Sequence, residues 1–459
     1  MHLRPLLLSL LFSACVATAS QAEVRLSPQE ARSAAAHYLA GGQPVAARQI
    51  ANGLLIRDPQ DLNALLILSV AERNLGNFKA ASKAGKKAWS VAVTDSQKYN
   101  AALVVAQALA SDGSHTFAQI WLRRAAQTAP SEAEKNIAIR DLQYVRSQNP
   151  WSMDFRFSLR PSSNINNGSN SDVVIIGGLP LIISGRNKPL SGMGLVVGGR
   201  VEYEKPLSKS KTLRFGGDIE TRQYKLSEEA ISIAPDAKGS DYAFSSFKLY
   251  AAYDFAAPSS MNAHSFEASV GRYRYGGEPL SNLIWLKYSL LHRQESGSIL
   301  QFSLFTEANS RLDDHARDTG RVLAVIQQRR ATESGGIFSW NITASTTNLI
   351  GDPKFGRASD LANDAIGGGI SYTWAKPFFS ATTSLSLQYD GQVFEKSRYT
   401  QGEKRVDHLG VATLSMFFDD FEYYGFAPVL DFSYARKYSN AALFSADGFG
   451  LGLGFRSSF

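Results

Sequence analysis

From residue 151 onward the chain alternates. Trp151, Met153, Phe155, Phe157 and Leu159 take one side, and Ser152, Asp154, Arg156, Ser158 and Arg160 take the other. Successive strand side chains point to opposite faces, so this period of two predicts an amphipathic strand. Further strands are predicted at 193–205, 213–226, 243–255, 265–275, 283–293, 299–311, 321–330, 335–347, 365–374, 378–392, 407–418, 423–437 and 449–459. The set is about fourteen, an even number suited to a transmembrane β-barrel. The chain ends on GFGLGLGFRSSF, in which Phe449, Leu451, Leu453 and Phe455 share one face; it predicts a closing strand beside 151–160.

The connections alternate as well. One set, at 206–211, 256–263, 294–298, 331–334, 375–377 and 419–422, is short, as periplasmic turns are. The other set includes 161–191, 227–242, 349–363 and 395–405, which are long and polar or glycine-rich, with a modest member at 276–282. The inner face carries Arg200, Glu202, Glu204, Arg214, Asp218, Glu220, Arg222, Glu307 and Arg311. These charges either lock into salt bridges or line a wet channel, and solvation of a channel wall is the expectation adopted.

Before residue 150 the pattern changes. Gly42, Ala47, Ala51 and Pro59 are followed about thirty-four residues later by Gly76, Phe78, Ala81 and Ala88, and again by Gly113, Ala118, Leu122, Ala125 and Pro130. The period resembles that of tetratricopeptide repeats, in which small residues let antiparallel helices approach and glycine opens the turn. The first helices of such a stack line a groove. Its candidate client-binding positions are Gln29, Asn63, Leu66, Val70, Arg73, Asn100, Leu103 and Gln107, whose amides suit peptide backbone. The expected architecture is therefore a helical repeat domain at 23–150 followed by a fourteen-stranded antiparallel membrane barrel at 151–459.

Composition and charge refine this picture. Residues 1–22, with Arg4, the apolar run Leu6 to Val16 and Ser20-Gln21-Ala22, read as a secretory signal peptide. The single cysteine, Cys15, lies within it, so the mature chain would have no disulfide or thiolate ligand; Phe12-Ser13-Ala14-Cys15 loosely resembles a lipidation site. The repeat region holds fifteen Lys and Arg against ten Asp and Glu, including a stripe at Lys79, Lys83, Lys86 and Lys87. That excess suits an acidic client or anionic lipid, and no zinc-finger or other nucleic-acid motif accompanies it. No catalytic motif is present, and no cofactor or metal ion is expected. Neither His264-Ser265 nor the Asp313, Asp314, His315, Asp318 cluster has a recognised spacing. An apolar run at Val173 to Ile183 reads as a hairpin extending the barrel wall, or else as a plug or client contact.

The run RPSSNINNGSN, Arg160 to Asn170, resembles the barrel start in the surface lipoprotein assembly modulator family. The resemblance implies a periplasmic tetratricopeptide domain ahead of a fourteen-stranded outer-membrane barrel, and a role in moving client lipoproteins or related secreted proteins to the cell surface. Gly454, Phe455 and Phe459 resemble the terminal signal read by the barrel-assembly machinery, with Ser457 at a position where an apolar residue is usual. The alternative from a different class is a passive diffusion porin with a periplasmic interaction domain.

Overall fold

The computed structural model describes residues 26–176, 179–351, 360–395, 397, 399–400 and 403–457. The expected leader with Cys15, the Gly177-Gly178 pair and Phe459 lie outside the described residues. The chain divides into two compact units between Ser114 and His115.

The first unit contains helices α1 (Pro28–Ala40), α2 (Pro44–Arg57), α3 (Leu62–Asn74), α4 (Phe78–Val91) and α5 (Asp95–Ser111). The odd-numbered helices begin at strong caps: Ser27 with Glu30 and Thr94 with Gln97 form capping boxes, and Asp61 accepts from the Ala64 amide. Consecutive helices pack antiparallel, and α3 also touches α1 and α5, the contact pattern of stacked helical hairpins. Ala47, Ala51, Ala81 and Ala88, the repeating small residues, are fully buried. The glycines that open the turns, Gly42, Gly76 and Gly113, have φ of 69, 81 and 75°. A side chain would strain that left-handed backbone, so the repeat glycine is a conformational requirement.

Arg32 of α1 reaches Asp61 with Nη2 at 2.7 Å from Oδ2, tying the first hairpin to the start of α3. Burial pushes the Asp61 pKa up, but hydrogen bonds from Arg32 and the Ala64 amide outweigh it and hold the carboxyl below its usual value. Because the folded-state pKa is depressed, the stabilisation is present above the unfolded value and is lost as pH falls through the folded one. Asp61→Ala removes a cap and an ion pair together and is expected to cost about 2 kcal/mol at neutral pH. The loss should shrink in acid, as read from helical circular dichroism during unfolding of the detergent-solubilised chain.

The second unit begins with α6 (His115–Gln127) and α7 (Glu132–Gln148), which leads directly into β1 (Trp151–Ser162). A hairpin of β2 (Val173–Ile176) and β3 (Leu179–Ile182) follows. The barrel then continues through β4 (Gly192–Ser208), β5 (Lys211–Leu226), β6 (Phe244–Phe255), β7 (Asn262–Tyr275), β8 (Glu278–Arg293) and β9 (Ile299–Arg311), with the short α8 (Glu228–Ile233) between β5 and β6. It is completed by β10 (Thr319–Ala331), β11 (Ile337–Leu349), β12 (Asn363–Thr373), β13 (Thr382–Phe394), β14 (Arg405–Phe417), β15 (Phe426–Ser439) and β16 (Ala446–Ser457). Fourteen strands form one closed antiparallel barrel in which β1 neighbours both β4 and β16. Closure pairs the backbone groups that an open sheet would expose to lipid.

Outward positions such as Val201, Ile219, Leu249, Leu286, Ile342 and Leu387 are exposed and apolar, as a lipid-facing belt requires. Aromatic pairs border it at both ends: Trp151–Tyr203 and Phe266–Tyr288, each 4.9 Å apart, near the helices, and Tyr389–His408 at 6.1 Å on the loop side. No helix among the described residues is long and apolar enough to cross a membrane.

Several local expectations change. The loop expected at 276–282 is a two-residue turn, because Gly276 and Gly277 take φ of 60 and 87° and let β8 start at Glu278. The strand expected from 423 starts at Phe426, since Tyr424 and Gly425 also have positive φ and lengthen the preceding turn. Val173 to Ile183 does form a hairpin, but its strands pair only with each other among the described residues and do not extend the wall.

Candidate functional site

The groove candidates sit on α1, α3 and α5. Gln29, Asn63, Asn100 and Gln107 are exposed, while Leu66, Val70, Arg73 and Leu103 are half-buried. Arg73 of α3 donates to the side-chain oxygen of Gln107 on α5, so the fold brings these two together across adjacent helices. The lysines of the stripe at 79–87 are all exposed.

In the barrel the inward charges interlock. Arg214 donates to Asp254 at 2.5 Å and to Glu202 at 2.8 Å, and Tyr250 donates to the same Glu202 oxygen at 2.7 Å. Arg156 bridges Asp218 at 2.5 Å and Glu220 at 3.2 Å, and Lys248 meets Glu267 at 2.7 Å. The expected freely solvated wall is thus corrected: on β1 and β4–β7 opposite charges meet diagonally or across an intervening glycine, as Arg156 reaches Glu220 past Gly198, and pairing lowers the cost of placing them in a confined lumen. In the loop cluster, Asp313 pairs with Arg311 at 2.6 Å, and His315 contacts Asp318 at 3.4 Å.

The opposite wall is different. Inward positions on β11–β16 include many small ones, Ser339, Asn341, Gly367, Gly369, Ser384 and Ser386, then Thr413, Ser433 and Gly448, Gly450, Gly452 and Gly454, with charges at Asp390, Asp407, Asp431 and Lys437 among them, of which Lys437 pairs with Asp407 at 2.8 Å. The lumen therefore has one wall crowded with interlocked long side chains and one with more small side chains and fewer charges. A cavity of about 1330 Å³ runs along β1 toward α6 and α7, with Arg123, Arg146, Phe155, Arg156, Asp431 and Gly454 among its lining.

A contact without a sequence signature holds the helical pair at this mouth. Arg123 of α6 donates to the Tyr424 and Gly425 carbonyls at 3.3 and 3.0 Å and to the Ser457 hydroxyl at 3.0 Å, with its guanidinium 5.0 Å from the Phe426 ring centre. Gln127 accepts from the Tyr424 amide at 2.7 Å, and Lys135 of α7 lies 3.4 Å from Glu422. The fastening point is the β14–β15 turn, whose positive-φ residues turn their carbonyls toward Arg123. Arg123→Ala is expected to raise protease cleavage between α6 and α7 several-fold while the barrel keeps its heat-modifiable migration, as checked by limited proteolysis of membrane fractions.

Gly454 and Phe455 lie on β16. A Cβ on Gly454 would stand 2.7 Å from the Phe157 carbonyl oxygen, so glycine permits the close approach of β16 to β1. The asparagine-rich motif is structural. Asn164 donates to the Gly168 and Asp447 carbonyls, both at 3.0 Å, and Asn166 donates to the Arg186 and Lys188 carbonyls, both at 2.8 Å.

Fold and lumen together define an outer-membrane β-barrel with an amino-terminal helical-repeat region. The sequence matches the family described as surface lipoprotein assembly modifier over residues 151–449, and the chain belongs to that family. Among solved structures, a loop-deletion variant of OmpT, an outer membrane protein of Vibrio cholerae, is 11% identical, covering 67% of this chain and 99% of its own at a TM-score of 0.34. OprD of Pseudomonas aeruginosa is 9% identical, covering 67% and 93% at 0.33. The type III secretion translocator chaperone SycD of Yersinia enterocolitica is 16% identical, covering 27% and 88% at 0.24. No curated protein matches.

Proposed function

We propose that the chain is a non-enzymatic display device that moves client lipoproteins, or related secreted proteins, to the cell surface. The long-loop end faces outward, and the helices and short turns face the periplasm. The repeat unit captures the client there, with Gln29, Asn63, Arg73 and Asn100 binding its backbone and Leu66, Val70, Leu103 and Gln107 completing the groove. The observation that carries this reading is the cavity that leads from α6 and α7 at the helical mouth along the inside of the barrel beside β1. Family membership supplies the client class. Assembly of the barrel itself uses the barrel-assembly machinery acting on the β16 terminus, and outer-membrane lipid surrounds the apolar belt.

The test co-expresses the chain with an epitope-tagged lipoprotein that ends in a small β-barrel domain, and measures protease shaving of intact cells. Tag exposure that depends on the chain supports the reading. Equal exposure in cells lacking residues 151–459 contradicts it.

A further inference from the structure

The fourteen-strand ring is not uniformly zipped. On one side β1 pairs with β4 continuously from Trp151↔Tyr203 to Ser162↔Gly192. On its other side, among the described residues, β1 pairs with β16 only at Ser158↔Gly454, Leu159↔Leu453 and Ser162↔Gly450. The gap between these pairs falls at Arg160 and Pro161, and proline offers no N–H to a ladder. Toward the helices the ladder stops, although continuing the register would set Phe157 opposite Phe455 and Arg156 opposite Arg456. Arg456 is turned away instead, its guanidinium 4.1 Å from the Phe417 ring centre on β14.

The two ends of this seam are built differently. At the loop end the asparagine-rich motif staples it: Ser163 donates its amide to the Phe449 carbonyl at 3.1 Å and accepts from the Phe449 amide at 2.9 Å. Asn164 reaches the Asp447 carbonyl at 3.0 Å, Ser169 reaches the Ala442 carbonyl at 2.7 Å, and Asn170 reaches the Asp447 side chain. At the helical end the cavity reaches Trp151 to Phe157, so the unladdered β1 edge borders it. Inward positions Gly450, Gly452 and Gly454 of β16 carry no side chain at the seam, so the contact across its helical end is the outward Phe157–Phe455 pair, with ring centres 6.4 Å apart.

We propose that the seam is a strand-acceptance site: it parts from its helical end, hinged at the stapled loop end, and an extended client segment adds as a strand to the β1 edge that begins at 155–157. The chemistry of the occupant follows from the edge. Its backbone satisfies N–H and C=O groups that are costly to leave unpaired beside lipid. Its outward side chains are apolar, to continue the row of Met153, Phe155 and Phe157, and its inward ones are small, to fit beside the β16 glycines. This inference rests on the display function proposed above.

The test locks the seam without obstructing the lumen. Phe157 and Phe455 lie side by side on the outer surface at the helical end, ring centres 6.4 Å apart, so Phe157→Cys with Phe455→Cys forms a disulfide across the parting end of the seam when oxidised. Leu304→Cys with Ala324→Cys, a facing pair on β9 and β10, is the control. Oxidation of the seam pair is expected to reduce display of the tagged lipoprotein about tenfold, with recovery on reduction, and to leave the control unchanged. Undiminished display with the seam fully cross-linked overturns the proposal. The reduced variant verifies folding, and its display reports the function independently; only the difference between oxidised and reduced states reads the seam. A photo-cross-linking residue at Phe155 should capture the same lipoprotein, whereas one at Ile342 should not. Capture only of the chain's own carboxyl end, or equal capture from both positions, overturns the proposal.

Discussion

Deleting residues 26–114 is expected to leave a folded barrel and to reduce client display to the level of cells without the protein. The deletion removes one compact unit and spares α6 and α7, which belong to the other. Heat-modifiable migration reports the barrel and protease shaving reports display, so assembly and delivery are read separately. A graded version replaces Gln29, Asn63 and Asn100 with alanine. Each lost backbone hydrogen bond is worth about 0.5–1.5 kcal/mol, so the triple variant should weaken client binding by at least tenfold. Full display after the deletion would mean that the barrel alone selects its client.

Arg214→Leu is expected to destabilise the barrel by about 3–5 kcal/mol, because it leaves partly buried carboxylates without their shared cation. Arg214 is bonded to both Asp254 and Glu202, and Glu202 is 8% exposed. Arg214→Lys keeps the charge but not the planar fork that serves two acceptors, so its cost should be smaller. Adding Asp254→Asn to Arg214→Leu should recover part of the loss, since one of the stranded charges disappears. Urea unfolding of the reconstituted barrel, followed by tryptophan fluorescence, measures each variant. Equal stability of Arg214→Leu and the parent would show that the cluster is solvated in operation.

Local patterns carried much of the architecture. Period-two alternation located all fourteen barrel strands, because lipid on one side and lumen on the other impose it on every strand. The repeat glycines and alanines were readable because a left-handed turn and a close helix contact each demand one residue type. Turn boundaries were less legible: Tyr424 adopts φ of 50°, which no composition rule assigns to tyrosine.

The site itself depends on distance in sequence. Arg123 meets Tyr424 across 301 residues, and Asn164 meets Asp447 across 283, so neither contact leaves a local signal. The lumen charges were visible on their strands, but whether they pair depends on register between strands, which alternation alone leaves open. The asparagine-rich motif was legible as a marker of family; its role as a staple required the position of β16.

Carriage of a lipoprotein across a membrane is the activity proposed for this chain. The most direct measurement incorporates the purified chain into liposomes, supplies the tagged lipoprotein on the helical side and assays protease accessibility from the opposite side. The account predicts digestion of the lipoprotein only in vesicles that contain the full chain. A lipoprotein that stays protected in those vesicles, while they show a steady ionic conductance, would contradict the account and identify the barrel as a passive pore.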